Sequence, residues 1–211
     1  MKEIQLERLT CARLPTPEGE FELCLFANDQ DDKEHFSLHT GQIEGATDVL
    51  VRIHSECLTG DLLGSMRCDC GPQLHLAMCK IAAEGAGLLV YLRQEGRGIG
   101  LNEKLRAYNL QDQGYDTVEA NLLLGHDIDE REYDLAAAII QHFGVRSVRL
   151  MTNNQDKIQA LERCGVQVSA RVPLEAGLTE ENVAYLRTKA DRLKHQLQLD
   201  KITRLKNGKP C

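Results

Sequence analysis

The chain has 211 residues, enough for one large domain or two small ones, and its 42% apolar and 27% charged make-up is that of an ordinary globular protein. A net charge of −7 argues against the extended basic surface that non-specific nucleic-acid binding needs, while leaving room for a few local arginines to hold phosphates. No apolar run approaches a membrane span and residues 1–5 lack the apolar stretch of a signal peptide, so a cytoplasmic protein with no nucleic-acid or membrane partner is expected. Residues 14–54 read as β, with strand-like runs at 21–26 and 49–54 and a turn-rich stretch at 29–33. From residue 72 the period changes. Leu74, Ala77, Met78 and Ile81 follow helical spacing and the helix stops near Gly85. Residues 88–92 form a short buried strand. Ile99, Leu105 and Tyr108 mark a helix after the glycines of 96–100.

A further helix is expected from about Glu130 to Phe143, stopped by Gly144. A strand follows at 148–151, then an Asn-rich turn, a helix at about 156–164 and a strand at 166–172. A last helix is placed from Thr179, as N-cap, to about Leu199. The basic residues of 189–209 read as a solvated helix face and a frayed end. Alternating strands and helices behind a β-rich front give an α+β fold, a single domain over about 1–200 with a flexible tail at 201–211. No linker divides it.

Eight cysteines in a reducing compartment are expected as thiols, without a disulfide framework. Cys11, Cys24, Cys79, Cys164 and Cys211 look isolated, and Cys24, Cys79 and Cys164 sit in apolar patterns as small core residues. Cys57-x10-Cys68-x-Cys70 differs. On an extended segment Cys68 and Cys70 point the same way, and Cys57 can return across the turn at Thr59-Gly60-Asp61. Three thiolates with one open position suit a catalytic zinc. The spacing admits two other readings: a structural zinc closed by His54 or His75, or chance clustering in a core.

Three more segments carry possible chemistry. Arg93-Gln94-Glu95-Gly96-Arg97-Gly98-Ile99-Gly100 joins a strand to a helix; its glycines admit a close ligand and its two arginines suit phosphate, but a plain tight turn reads equally well. It matches neither the Walker nor the dinucleotide pattern. The acids of Asp127-Ile128-Asp129-Glu130-Arg131-Glu132 read most simply as a helix cap. Thr152-Asn153-Asn154-x-x-Lys157 ends a strand, where α/β sheets bind ligands, and divides evenly between a phosphate site and an Asn-rich cap.

Read together, these segments resemble the GTP cyclohydrolase II family. The matching stretches are Arg52-Ile53-His54-Ser55-Glu56-Cys57-Leu58-Thr59-Gly60-Asp61, Arg67-Cys68-Asp69-Cys70-Gly71 with Gln73-Leu74, and Arg93 to Leu101. Arg106-Ala107-Tyr108, Gln111-Asp112-x-Gly114-Tyr115-Asp116-Thr117-Val118-Glu119-Ala120-Asn121, Asp129-x-Arg131-x-Tyr133 and Leu150-x-Thr152-Asn153-Asn154-x-x-Lys157 complete the set. The resemblance runs from Leu14-Pro15-Thr16-Pro17 to about His195. It implies one zinc per subunit on Cys57, Cys68 and Cys70, whose water attacks C8 of GTP, with formate and pyrophosphate released in the first step of riboflavin synthesis. Tyr108 would carry hydrolysis past the formylated intermediate. Arg131 would attack the α-phosphate, with Asp129 taking its proton, because a free guanidinium is protonated at neutral pH. Arg52, Ile53, His54, Ser55, Glu56, Gln73, Glu95, Gly96, Arg97, Thr117, Thr152 and Lys157 match substrate-binding positions. A glutamate among them can pair with the N1 and N2 donors of guanine. Mg2+ on the triphosphate, a homodimer and the monofunctional form without a second synthase domain are further implications. The chain departs from the family at Gly100-Leu101-Asn102-Glu103-Lys104, where Gly-Leu-Leu-Asn-Lys is usual, and near Leu178-Thr179-Glu180-Glu181-Asn182 and Lys194-His195. The rival functions are a variant of the family that stops at the formylamino product, a non-catalytic guanine-nucleotide-binding zinc protein, and a cysteine-based redox protein using Cys68-Asp69-Cys70, which would leave the phosphate-suited segments unexplained.

Overall fold

Two strands, β4 (Val49–Ser55) and β5 (Gly87–Leu92), are buried on both faces along almost their whole length and therefore stand inside a sheet, not at its edge. They do so in the computed structural model of the chain, which describes residues 4–179, 181–192 and 197. The sheet has seven strands in the order β1-β2-β3-β5-β4-β6-β7. β1 (Leu6–Thr16), β2 (Gly19–Asn28) and β3 (His35–Thr40) form an antiparallel meander, and β3 pairs antiparallel with β5. On its other edge β5 pairs in parallel with β4, and the parallel half continues through β6 (Ser147–Met151) and β7 (Gln167–Val172).

The period-2 alternation of β4 and β5 feeds two cores. Val51, Ile53, Leu88, Val90 and Leu92 pack on one face with Ile139 and Ile140 of α5 (Asp134–His142) and Leu161 of α6 (Gln155–Arg163). Leu50, Leu89 and Tyr91 pack on the other with Ala77, Met78 and Ile81 of α2 (Cys70–Glu84). Each large aliphatic side chain so buried contributes about 1.5–3 kcal/mol. Arg52 and His54 follow Leu50 on the α2 face, so the alternation that builds the core also carries two polar side chains toward the start of α2. Four further helices frame that end of the sheet: α1 (Leu58–Asp61), α3 (Gly100–Gln111), α4 (Thr117–Leu123) and α7 (Val183–Asp191).

The α+β architecture, with its β-rich front and alternating elements after about residue 72, is as expected. Four local expectations are corrected. β1 begins at Leu6, well before residue 14; it is a largely exposed edge strand whose polar faces give no apolar alternation to read. The helix expected from Glu130 starts only at Asp134, because Asp129 turns to Arg131 instead of capping it. Thr179 does not cap the last helix: Asn182 does, and Thr179 and Asn182 bond each other's backbone N–H. The cysteines are not all thiols. Cys11 and Cys24 face each other across β1 and β2, with Cα atoms 4.1 Å apart, and form a disulfide; Cys79 is likewise disulfide-bonded. The register of the hairpin brings the first pair together, which compartment reasoning ignored. The 201–211 tail, with Cys211, and the basic run beyond Arg192 lie outside the described residues, as do Lys194 and His195. Among the described residues no helix is long and apolar enough to cross a membrane.

Leu161 is fully buried between α6 and the sheet. Leu161→Ala should cost about 2–5 kcal/mol, read as a lower urea midpoint with an unchanged slope.

Candidate active site

The parallel strands β4, β5 and β6 release their following loops on one edge of the sheet, and one cleft lies there. Every residue singled out from the sequence lines it except Ile53 and Asp129. Ile53 is core, and its backbone oxygen accepts from Lys157 Nζ at 3.0 Å. Asp129 stands behind Arg131.

Three sulfurs meet at one wall. Cys57, Cys68 and Cys70 place their Sγ atoms within 4.8 Å of one another, with Cys57 and Cys68 3.6 Å apart. Bonds of about 2.3 Å at tetrahedral angles put sulfurs about 3.8 Å apart, so the donor set suits zinc. The geometry is reached differently from the expected hairpin. Cys57 precedes the single helical turn of α1, and Cys70 opens α2, so no extended i, i+2 pair exists. Gly60 makes the approach possible: a Cβ there would meet Cys68 Sγ at 2.8 Å and Cys57 Sγ at 3.1 Å. Neither His54 nor His75 closes the set, since His54 bonds Asp61 and His75 bonds Glu18. The three thiols are not equivalent. Hydrogen bonds from Cys68 and Cys70, reinforced by the Lys104 ammonium, drive the Cys57 thiol far below its ordinary pKa, while Cys68, sharing its proton with Cys57, is pushed up to about 12.

Two buried carboxylates hold this wall. Asp61 takes His54 Nε2 at 3.0 Å, the Tyr91 hydroxyl at 2.8 Å and the Cys57 backbone N–H at 3.0 Å. Glu95 takes the Leu58 N–H at 2.6 Å, the Gly96 N–H at 2.8 Å and Lys104 Nζ at 2.8 Å. His54 and Glu95, both matched to substrate positions, thus spend these groups on the scaffold. Burial holds the His54 imidazole below its ordinary pKa despite Asp61. Gln73 is also engaged: it accepts from Arg52 Nη2 at 2.7 Å and donates to Asp69. The Glu56 carboxylate, by contrast, has one side-chain partner among the described residues, Arg93 Nε at 3.0 Å.

The glycine loop after β5 is a left-handed turn, with Gly96 at φ 65° and Arg97 at φ 64°. The Arg97 backbone oxygen is pinned by the Glu130 N–H at 3.1 Å. Among the described residues both terminal nitrogens of Arg97 are buried without a hydrogen-bond partner, as is Arg52 Nε. Burial pulls the Arg52 guanidinium down to about 10, still charged at neutral pH. Unsatisfied buried cationic donors are costly and mark a place for an anion.

Beside the loop, Arg131 donates from Nε to Asp129 Oδ1 at 2.7 Å and from Nη2 to Asp129 Oδ2. Burial alone would lower the Arg131 pKa, but the Tyr133 and Asp129 oxygens outweigh it and hold the guanidinium above its usual value. Burial likewise opposes ionisation of Asp129, and Arg131 reverses it, keeping the carboxyl below the usual range. Lys157, rooted in α6, stands 5.3 Å from the Tyr133 ring. Thr152 is locked by its bond to the Asn154 N–H at 3.0 Å, and Asn154 caps α6. Thr117 follows Asp116, whose capping box with Glu119 starts α4. Tyr108 reaches the sulfur wall, its hydroxyl 3.4 Å from Thr59 Oγ1, and burial pushes the phenol up to about 12, so it carries its proton.

Sequence reasoning missed Asp61, Lys104 and Tyr185. Asp61 and Lys104 were quoted within motifs but given no part, because their partners lie far along the chain. Tyr185, on α7, lines the cleft with its ring under Arg97 at 5.8 Å, and nothing in the spacing of the last helix marks it.

Comparison with known proteins places this geometry. The family model described as GTP cyclohydrolase II matches residues 7–173. The chain is 54% identical over 189 residues to the GTP cyclohydrolase-2 of Pseudomonas aeruginosa strain LESB58, covering 90% of this chain and 92% of that protein. It is 52% identical to that of Azotobacter vinelandii, over 90% and 91% of the two chains, and 53% identical to that of Neisseria gonorrhoeae, over 90% and 96%. Among solved structures, a two-domain 3,4-dihydroxy-2-butanone 4-phosphate synthase from A. baumannii is 21% identical with a TM-score of 0.45, covering 81% of this chain and 41% of that one. With 167 of its residues matched by one family model (7 through 173) and half of its sequence shared with such relatives, the chain belongs to the GTP cyclohydrolase II family.

Proposed function

We propose that the protein hydrolyses GTP at C8, consuming three waters and releasing formate and pyrophosphate to leave 2,5-diamino-6-(5-phospho-ribosylamino)pyrimidin-4(3H)-one, the first step of riboflavin synthesis. The observation that carries this reading is a three-sulfur wall sharing one cleft with buried guanidinium donors that have no partner among the described residues. Cys57, Cys68 and Cys70 hold a zinc ion, which when bound supplies Lewis acidity and makes water nucleophilic near neutral pH. Arg97, Arg52 and Lys157 take the phosphates, and Arg97's two free nitrogens suit paired oxygens. Glu56 is the glutamate better placed to read guanine, since the Glu95 oxygens are already taken. Mg2+ bound with the triphosphate would reduce its charge. A homodimer and a cytoplasmic location belong to the same proposal and rest on the family resemblance.

Tyr108 presents a protonated phenol at the sulfur wall, suited to donate to an oxygen developing on C8. Arg131 lies in bidentate contact with Asp129, and this pairing favours the charged guanidinium. An attack by Arg131 on the α-phosphate therefore needs its proton to pass to Asp129, and the two facing oxygens provide the receiving atoms. Without that transfer the pair still serves as a fixed positive charge beside the phosphate.

The deciding experiment is incubation of zinc-replete protein with GTP and Mg2+, following formate, pyrophosphate and the diaminopyrimidine absorbance. All three should appear together; pyrophosphate without formate would mean the formylamino product is the end point, and no turnover with zinc bound would leave a binding protein. Cys68→Ser should abolish zinc retention and ring opening, and Gly60→Ala, which sets a methyl against two sulfurs, should weaken zinc retention by about 10-fold or more; full metal content in both variants would sink the ligand assignment. Tyr108→Phe should depress formate release about 100-fold, more than pyrophosphate release. Equal loss of the two products would reduce Tyr108 to a packing residue.

A further inference from the structure

Lys104 enters the sulfur wall from α3. It is 9% exposed, with Nζ 3.1 Å from Cys57 Sγ and 2.8 Å from Glu95 Oε1. An ammonium has three donors and no acceptor, so the contact with Cys57 is an N–H···S bond in which the sulfur accepts. Glu95 fixes that contact. The same carboxylate binds the backbone N–H of Leu58, next to Cys57 in sequence, and that of Gly96, so the lysine head and the loop carrying its sulfur partner are clamped to one anchor. Lys104 lines the same cleft as Arg97 and Lys157, but its Nζ is engaged by the Cys57 sulfur and the Glu95 carboxylate.

The chemical consequence follows from charge. Three thiolates around a divalent cation leave an excess negative charge, which weakens the pull of the metal on its remaining ligand. A cationic hydrogen-bond donor on one sulfur withdraws electron density from it and offsets that charge, as partners behind metal ligands do elsewhere. We propose that Lys104 is a positioning residue for the reaction: bonded to the Cys57 sulfur and held there by Glu95, it keeps the metal electrophilic. This rests on the zinc reading proposed above. It makes Glu95 a clamp for Lys104 and α1, a different task from reading guanine.

Cobalt(II) in place of zinc in the full chain tests both layers separately. Wild-type protein should show a sulfur-to-cobalt charge-transfer band; its absence would overturn the metal reading whatever Lys104 does. With the band present, Lys104→Met makes the sulfur easier to oxidise and should shift the band to longer wavelength. The same variant should lower kcat about 10- to 100-fold while KM for GTP stays within about twofold. Lys104→Arg, which restores a cationic donor, should move the band back toward the wild-type position. An unmoved band in Lys104→Met, or an activity loss carried by KM, overturns the role. If Lys104→Met does not give a cooperative unfolding transition, Glu95→Gln takes its place: it removes the charge that holds the ammonium, and an unmoved band there overturns the proposal equally.

Discussion

The parallel pairing of β4 with β5 is the constraint on which the site depends. β5 is antiparallel to β3 on one side and parallel to β4 on the other, so the sheet changes character at this seam. From there β4, β5 and β6 all point the same way, and the segments after Ser55, Leu92 and Met151 emerge on one edge. Register is as important as direction. Leu50, Arg52 and His54 face α2, while Val51 and Ile53 face α5 and α6. A slip of one residue would thrust Arg52 into an aliphatic core and remove its bonds to Met151 and Gln73. The hydrophobic alternation therefore protects the chemistry by making the wrong register expensive.

Buried charge is distributed with a clear division. Asp61, Asp69 and Glu95 are committed to backbone N–H groups, His54, Gln73 and Lys104, and so organise the wall. Asp129 is committed to Arg131. Among the described residues the terminal nitrogens of Arg97 have no hydrogen-bond partner, and Arg52 Nε is likewise left open in the cleft. Acids brace the wall while cations face the cleft, so a chain of net charge −7 still presents locally positive groups there.

Much of this was legible in the sequence, and the gaps have physical causes. β5 announces itself as a continuous apolar run and β4 as a strand-like run interrupted only by Arg52 and His54, and Gly85 ends α2 in the left-handed conformation. β1 was not legible over its first residues because an exposed edge strand has no buried face to write a pattern. α4 was missed although Asp116-Thr117-Val118-Glu119 carries a capping-box signature, since its seven residues are too few to show a period. The three clustered cysteines stand out by spacing, but the spacing suggests a hairpin where a helical turn and a helix start bring them together. Asp129 and Arg131 were visible only through the family resemblance; on charge pattern alone they read as a cap. Asp61 and Lys104 act across 30 to 47 positions, on Tyr91 and on Cys57, and no local pattern encodes such contacts.

The left-handed conformation of Arg97 has a further consequence. A non-glycine residue in that region carries about 1–2 kcal/mol of backbone strain, and here two glycines flank the one position that is not glycine. A third glycine would relax the loop and discard the guanidinium. Selection for thermal robustness and selection for turnover therefore pull this position in opposite directions, and arginine here records which of the two prevailed.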